Sequence, residues 1–132
     1  MAQKIVTAFL LIVSLTISQN LATAQNPQRI QFAKGQSSAV VKGTTGSSGA
    51  NFVVRAKSGQ KLILNLAPTS GVGIKVETDG TNGHMVLLHE EKGGTYEVGL
   101  EETGDYSIQI GSTSDKSVSF TLSVKITRMT DI

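Results

Sequence analysis

Strict alternation of apolar and polar residues over the segment 117–127 is the feature that most limits how this chain can fold. Every second residue there is apolar, and the residues between them are serine, threonine or lysine. Successive side chains of a β-strand point to opposite faces, so the segment predicts a strand with one buried face and one face in water. Antiparallel sheets with one solvated face have this pattern.

Shorter segments of the same kind recur along the chain, and clusters of glycine, asparagine and serine separate them at spacings of roughly 8–12 residues. The predicted strands cover residues 29–34, 38–42, 51–57, 60–66, 72–77, 84–89, 95–100, 106–110 and 117–127. No helical periodicity follows the N-terminal segment, and no internal repeat or long linker divides the chain. We therefore predict an all-β fold, a single antiparallel β-sandwich of about eight short strands.

Two local patterns make more specific predictions. Ser58-Gly59 separates two alternating segments and predicts a tight hairpin that pairs them with each other. The continuous apolar run from Met85 to Leu88 predicts a strand that is buried on both faces.

The N-terminal segment has the pattern of a secretory signal peptide. Lys4 precedes an apolar run over residues 5–17, and Ala22 and Ala24 form an A-x-A cleavage site. The apolar run is shorter than the roughly 20 residues that a membrane-spanning helix needs. No cysteine follows the cleavage site, which excludes a lipid-anchored lipoprotein, so we predict a periplasmic or extracellular protein.

These observations divide the chain into four parts: a cleaved signal peptide at 1–24, a flexible leader at 25–28, a β-sandwich domain at 29–127 and a tail at 128–132. Cleavage leaves eleven basic and ten acidic side chains, a net charge of +1. This balance predicts no nucleic-acid partner and no membrane association after cleavage. Because the chain has no cysteine, disulfides and thiolate zinc sites are excluded.

The sequence offers little for catalysis or metal binding. His84 and His89 are five residues apart, which places them on opposite faces of a regular strand, so they cannot share a metal without a bulge. The adjacent pairs Glu90-Glu91 and Glu101-Glu102 are interpreted as solvated loop charges. No serine lies in a G-x-S-x-G motif, and no glycine-rich stretch opens a helix. We predict a protein that is not an enzyme and that has no cofactor or metal.

Three segments together resemble known exported β-sandwiches. They are AKSGQKLILNL at 56–66, LEETGDYSIQI at 100–110 and VSFTLSVKI at 118–126, and the segment 29–43 adds a start typical of small stand-alone members. The succession resembles two groups, the bacterial pre-peptidase C-terminal type of β-sandwich and the periplasmic inhibitors of i-type and g-type lysozyme. The resemblance covers most of residues 29–126.

The resemblance to lysozyme inhibitors implies a binding loop. In that family a Ser-Gly-x-Tyr loop enters the cleft of the enzyme, and the matching positions here are Thr103, Gly104, Asp105 and Tyr106, with threonine in place of the serine. The implied function is an exported binding protein that occludes the cleft of a protein partner, possibly a lysozyme, with its 101–106 loop. A second interpretation of Tyr106 is a tyrosine corner, in which the ring lies in the core and the hydroxyl bonds to loop backbone.

Two other functions remain open from the sequence. A pre-peptidase-like accessory or carbohydrate-binding module predicts exposed aromatic residues on a sheet face or in a groove, whereas the five aromatic residues after the signal segment fall on predicted core faces. An assembly subunit would use an exposed edge strand. The oligomeric state is not fixed by the sequence.

Overall fold

The computed structural model describes residues 27–46, 49–81 and 83–129, which form strands joined by turns. The nine strands are β1 (Gln28–Arg29), β2 (Ser38–Thr44), β3 (Ala50–Ala56), β4 (Gln60–Ala67), β5 (Val72–Gly80), β6 (Gly83–Glu90), β7 (Gly94–Gly99), β8 (Gly104–Ser112) and β9 (Ser119–Arg128). None of the described residues belongs to a helix that could cross a membrane. The predicted signal peptide lies outside the described residues, as do residues 130–132 of the predicted tail.

The strands form two sheets. A five-stranded sheet has the order β1-β3-β8-β5-β6, and a four-stranded sheet has the order β2-β9-β4-β7. Every pairing is antiparallel except the short parallel contact between β1 and β3. The predicted all-β sandwich is therefore confirmed.

The core lies between the inner faces of the two sheets. Strand β9 shows the predicted alternation, because Phe120, Leu122, Val124 and Ile126 are all buried while the residues between them are not. Phe120 meets Phe52 of the other sheet edge to face, with ring centroids 6.1 Å apart. Burying a side chain of this size contributes about 1.5–3 kcal/mol, so the apolar face of each alternating strand stabilises the packing of the two sheets.

The predicted hairpin at Ser58-Gly59 is wrong. β3 pairs with β1 and β8, whereas β4 pairs with β7 and β9, so the turn carries the chain from one sheet to the other. A hairpin and such an arch need the same tight turn, and Gly59 has the positive φ of 86° that favours glycine. The alternation of the two strands is also the same in both cases, because each strand buries one face.

The prediction that the apolar run of β6 is buried on both faces is also wrong. β6 is an edge strand, and Met85 and Val86 are 39% and 52% exposed. Val76 pairs with Leu88 but Glu77 pairs with Val86, so Leu87 is an extra residue in a β-bulge. The run is continuous because the bulge shifts the alternation by one residue.

The first predicted strand, 29–34, is much shorter in the structure. Only Gln28 and Arg29 pair with β3, although the backbone N–H of Ile30 still donates to the carbonyl of Val53 at 2.8 Å. Ile30 itself is buried.

Candidate functional site

Residues 100–103 join β7 to β8 at one end of the sandwich, and the sequence-predicted site, 103–106, begins in this loop. The loop begins at Leu100, which is fully buried. The N–H of Leu100 donates to the carbonyl of Gln60, and the N–H of Gly59 donates to the carbonyl of Leu100, both at 2.9 Å. The base of the loop is thus bonded to the 57–60 turn that crosses between the sheets.

Tyr106 lies inside the protein. Its side chain is 2% exposed, and its hydroxyl donates a hydrogen bond to the backbone carbonyl of Glu102. A buried tyrosine needs a partner for its hydroxyl, and here the partner is the loop four residues before it. This geometry is that of a tyrosine corner, so Tyr106 shapes the loop and offers almost no surface to a partner.

Thr103 is exposed at the tip of the loop and is bonded to the neighbouring turn. The backbone N–H of Ser58 donates to Thr103 Oγ1 at 2.9 Å, and the Ser58 hydroxyl donates to the carbonyl of Glu101 at 2.8 Å. A threonine hydroxyl that accepts a hydrogen bond keeps its own proton for donation. The Thr103 hydroxyl can therefore hold the loop and donate to a partner at the same time.

Glu102 ties the loop to the tip of the β5–β6 hairpin. Its Oε1 accepts hydrogen bonds from the N–H of Thr81 at 3.2 Å and from the Thr81 hydroxyl at 2.8 Å. The other carboxylate oxygen lies against Gly80, where a Cβ atom would come within 2.1 Å of it. The glutamate that looks like a solvated loop charge in the sequence is therefore a structural link.

Asp105 points to the outer face of the five-stranded sheet. The Arg29 guanidinium donates from Nη1 and Nη2 to its carboxylate, each at 3.1 Å, and Arg55 Nη1 lies 3.7 Å from Oδ1. The hydrogen bonds from Arg29 hold the pKa of the Asp105 carboxyl below its usual range. The charge of Asp105 is thus already paired within the protein.

The four predicted site residues consequently have different positions. Thr103 is exposed and Gly104 is partly exposed at the tip, Asp105 is half-exposed and paired, and Tyr106 is buried. Sequence reasoning did not find the residues that fix the loop, Ser58, Thr81 and Arg29. They lie far from the loop in the chain, and only the strand pairing brings them to it.

The histidines lie on one face of β6 because of the bulge. Asp79 pairs with His84 and Lys75 pairs with His89 in the register of β5 and β6, so both imidazoles are on the outer face. His84 Nδ1 is 2.8 Å from Asp79 Oδ1, a hydrogen bond that raises the pKa of His84. Their register partners on β5 are four residues apart, so the two histidines are still about 13 Å apart at roughly 3.3 Å per residue. No group of three or more potential metal ligands occurs in the described part of the chain.

Comparison with known proteins identifies solved structures of similar fold. No protein-family model and no curated protein matches the sequence. A periplasmic inhibitor of g-type lysozyme from Aeromonas hydrophila matches with a TM-score of 0.63 and 23% identity, covering 77% of this chain and 96% of that one. The corresponding Salmonella Typhimurium inhibitor has a TM-score of 0.60 and 21% identity, covering 78% of this chain and all of that one.

A pre-peptidase C-terminal domain from a Bacillus anthracis collagenase is also similar. Its TM-score is 0.50 and its identity 9%, and the match covers 80% of this chain and 99% of that domain. The inhibitors of g-type lysozyme and the pre-peptidase C-terminal type, both named from the sequence resemblance, are therefore confirmed as structural neighbours, and the fold is one that they share.

Proposed function

We propose that this protein is an exported, non-enzymatic inhibitor that binds a lysozyme, first of all a g-type lysozyme, and blocks its cleft with the 101–106 loop. The observation that carries the proposal is the match over nearly the whole length of two periplasmic inhibitors of g-type lysozyme. Inhibition of g-type lysozyme is the function of those two proteins, and a direct assay tests whether this chain shares it.

The bonding of the loop supports a role in insertion. Ser58, Thr81 and Tyr106 each hold a different backbone or side-chain atom of residues 101–103. A loop that is already ordered loses less conformational entropy on binding than a loop that must be ordered by its partner. The loop can therefore enter a cleft without a change of shape.

The exposed atoms at the tip suggest how contact is made. Gly104 has no side chain, which keeps the tip narrow, and Thr103 presents a hydroxyl that can donate. Glycosidase clefts carry a pair of carboxylates, which accept such hydrogen bonds. In this proposal Thr103 and Gly104 contact the enzyme, whereas Asp105 and Tyr106 position the loop.

The primary test is inhibition of bacterial cell-wall lysis by g-, i- and c-type lysozymes. We expect inhibition of the g-type enzyme at about micromolar protein or below. Gly104→Val should reduce it by about tenfold or more because the added bulk widens the tip. Nothing lies within 4 Å of a Cβ atom at Gly104, so the variant can fold. Ser123→Val adds bulk on the outer face of the other sheet and should inhibit normally. Failure to inhibit any of the three lysozymes would refute the proposal.

Glu101 provides a second test of insertion. Its side chain is exposed, and its negative charge would approach the carboxylates of the cleft. Glu101→Gln should therefore strengthen inhibition, and the gain should shrink at high salt because exposed charges are screened. A weaker inhibitor at every salt concentration would show that the loop does not face an acidic cleft.

The proposed location is the periplasm, as for the two inhibitors that are similar in structure. Cell fractionation and N-terminal sequencing of the exported chain check this together. We expect a mature chain that starts at Gln25.

A further inference from the structure

A cleft lies on the outer face of the five-stranded sheet, at the opposite end of β8 from the 101–106 loop. Its volume is about 650 Å³. The segment 112–117 forms one wall, and His89 to Glu91 at the end of β6 form another. Gly104 and Gly111 are seven residues apart on β8, about 24 Å at roughly 3.4 Å per residue, so this cleft is separate from the loop.

The floor of the cleft contains a row of three glycines, two in the neighbouring strands β5 and β8 and one directly before β3. Gly73 of β5 pairs with Gly111 of β8, and Gly49 lies one residue beyond the Ala50–Ile110 pair, opposite Gly111 on the other side. With no side chain at these positions, the peptide backbone itself is the surface of the floor. Bulkier side chains of the next row, among them Asn51, Gln109 and Lys75, border it.

Two of these glycines are required by the fold, but Gly111 is not. Gly49 has a φ of 78°, and a Cβ atom at Gly73 would lie 2.9 Å from the carbonyl oxygen of Glu90. Gly111 has no positive φ, and a Cβ atom there would meet nothing within 4 Å. Glycine in the interior of a strand weakens the strand and often marks a place where a ligand approaches the backbone closely.

The charges around the cleft are negative on balance. Lys75 and Lys116 oppose Glu90, Glu91 and Asp115, and Lys75 already lies 2.9 Å from the Glu77 carboxylate. His89 Nε2 is 3.8 Å from Glu91 Oε1. An anion would therefore gain no net attraction here, and the described residues contain no group of three or more side chains that could hold a metal ion.

The cleft is also unsuited to an extended peptide. β8 is a central strand whose backbone is paired with β3 and β5, so the floor has no row of unpaired amides for another strand. Among the described residues that line the cleft, the only apolar side chains are those of Ile74 and Ile110, which are buried in the core. Recognition must come from the side-chain amide of Gln109 and from the hydroxyls of Thr113 and Ser117, because the hydroxyls of Ser112 and Ser114 are bonded within the wall.

We infer that this cleft binds an uncharged oligosaccharide. Amide and hydroxyl groups both donate and accept, which matches the many hydroxyls of a sugar. Its volume falls within the usual range for ligand sites and accommodates roughly two or three sugar units. No aromatic residue lines it, so a sugar has no stacking platform, and we expect a dissociation constant of about 1 mM.

The test is a titration followed by backbone amide NMR with the purified chain. The probes are chitotriose, cellotriose and maltotriose, together with trigalacturonate and trialanine as charged and peptide comparisons. We expect at least one neutral trisaccharide to shift the amides of Gly73, Gly111 and Ser112, and neither comparison to shift them as strongly. Shifts from none of the neutral sugars, or stronger shifts from either comparison, would overturn the inference.

Gly111→Val supplies the matched variant. The added side chain enters open space on the floor and should weaken saccharide binding by about tenfold or more. Its thermal unfolding should remain cooperative, since valine favours strands. Ser123→Val should bind normally. If Gly111→Val does not fold, Gln109→Ala removes one bordering amide and should also weaken binding. Unchanged affinity in the folded variant would overturn the inference.

Discussion

The loops at the two ends of strand β8 are held in different ways. At the start of β8, residues 101–105 are fixed from outside by Ser58, Thr81 and Arg29, which belong to three separate parts of the chain. At the end of β8, the 112–117 wall is held mainly from within. The Ser112 hydroxyl lies 2.8 Å from the carbonyl of Ser114 and 2.7 Å from that of Lys116.

The difference matters for what each end can bind. A projecting loop must keep its shape without support from a surrounding surface, and cross-links to neighbouring turns provide this. A wall beside a cleft already rests on the sheet, so bonds within the wall are sufficient. The first arrangement suits insertion into a large partner, and the second suits contact with a small ligand.

The sharpest way to separate the two ends is a pair of valine substitutions on the same strand. Gly104→Val should lose about tenfold or more in lysozyme inhibition and keep saccharide binding, and Gly111→Val should do the reverse. Each is measured in both the lysis assay and the NMR titration. Loss of both activities in either variant would mean that the two ends are not independent.

Tyr106→Phe tests how strongly the loop end depends on its corner. The substitution leaves the Glu102 carbonyl without its buried donor and should lower the free energy of unfolding by about 1–3 kcal/mol. Tyr96 provides the control, because its hydroxyl donates to the Lys92 carbonyl at 2.7 Å from a partly exposed position. Tyr96→Phe should cost less than about 1 kcal/mol, since water replaces the lost partner. Equal losses in urea denaturation would contradict the corner role.

Thr45→Val tests the anchor of the cleft end. Thr45 is fully buried, and its hydroxyl accepts the N–H of Val118 at 3.0 Å, just beyond the wall. Removing the hydroxyl should cost about 1 kcal/mol and should speed hydrogen exchange at Val118. Exchange in residues 100–106 should not change, and faster exchange there would show that the ends are coupled.

Asp105→Asn should have the smallest effect, and that effect should depend on pH. The folded-state pKa of Asp105 is lowered by the hydrogen bonds from Arg29, so the ion pair adds stability above the unfolded pKa of aspartate, near 4. This stability is lost as the pH falls through the lowered folded pKa. Unfolding measured at pH 7 should separate the variant from the parent slightly, and the difference should shrink as the pH falls below about 4. A difference that grows toward low pH would contradict the assignment.

The sequence predicts those features that depend on neighbours in the chain. Alternation identified the core faces of β8 and β9, and the tyrosine corner was one of the two interpretations of Tyr106. The arch at Ser58-Gly59 could not be told from a hairpin, because both use the same turn chemistry. The bulge at Leu87 could not be recognised for a similar reason. An inserted residue gives this exposed edge strand the continuous apolar run that is typical of a strand buried on both faces.

Features that depend on pairing between distant strands were not accessible. Gly49, Gly73 and Gly111 form one row only because β3, β8 and β5 are neighbours in that register. The contacts of Ser58 and Thr81 with the loop depend on the same sheet order. A single sequence contains no direct signal for the glycine row or for these loop contacts.

The crossing turn between β3 and β4 also bears on how the chain folds. In the described part of the chain, β5–β6 is the only ladder between consecutive strands, and all other ladders join strands that are separated in sequence. β8 joins β3 to β5, and β9 joins β2 to β4, so the last two strands complete both sheets. Non-local pairing of this kind slows folding. The chain must therefore stay largely unfolded until its C-terminal quarter is available, and a truncation before β9 would divide the four-stranded sheet.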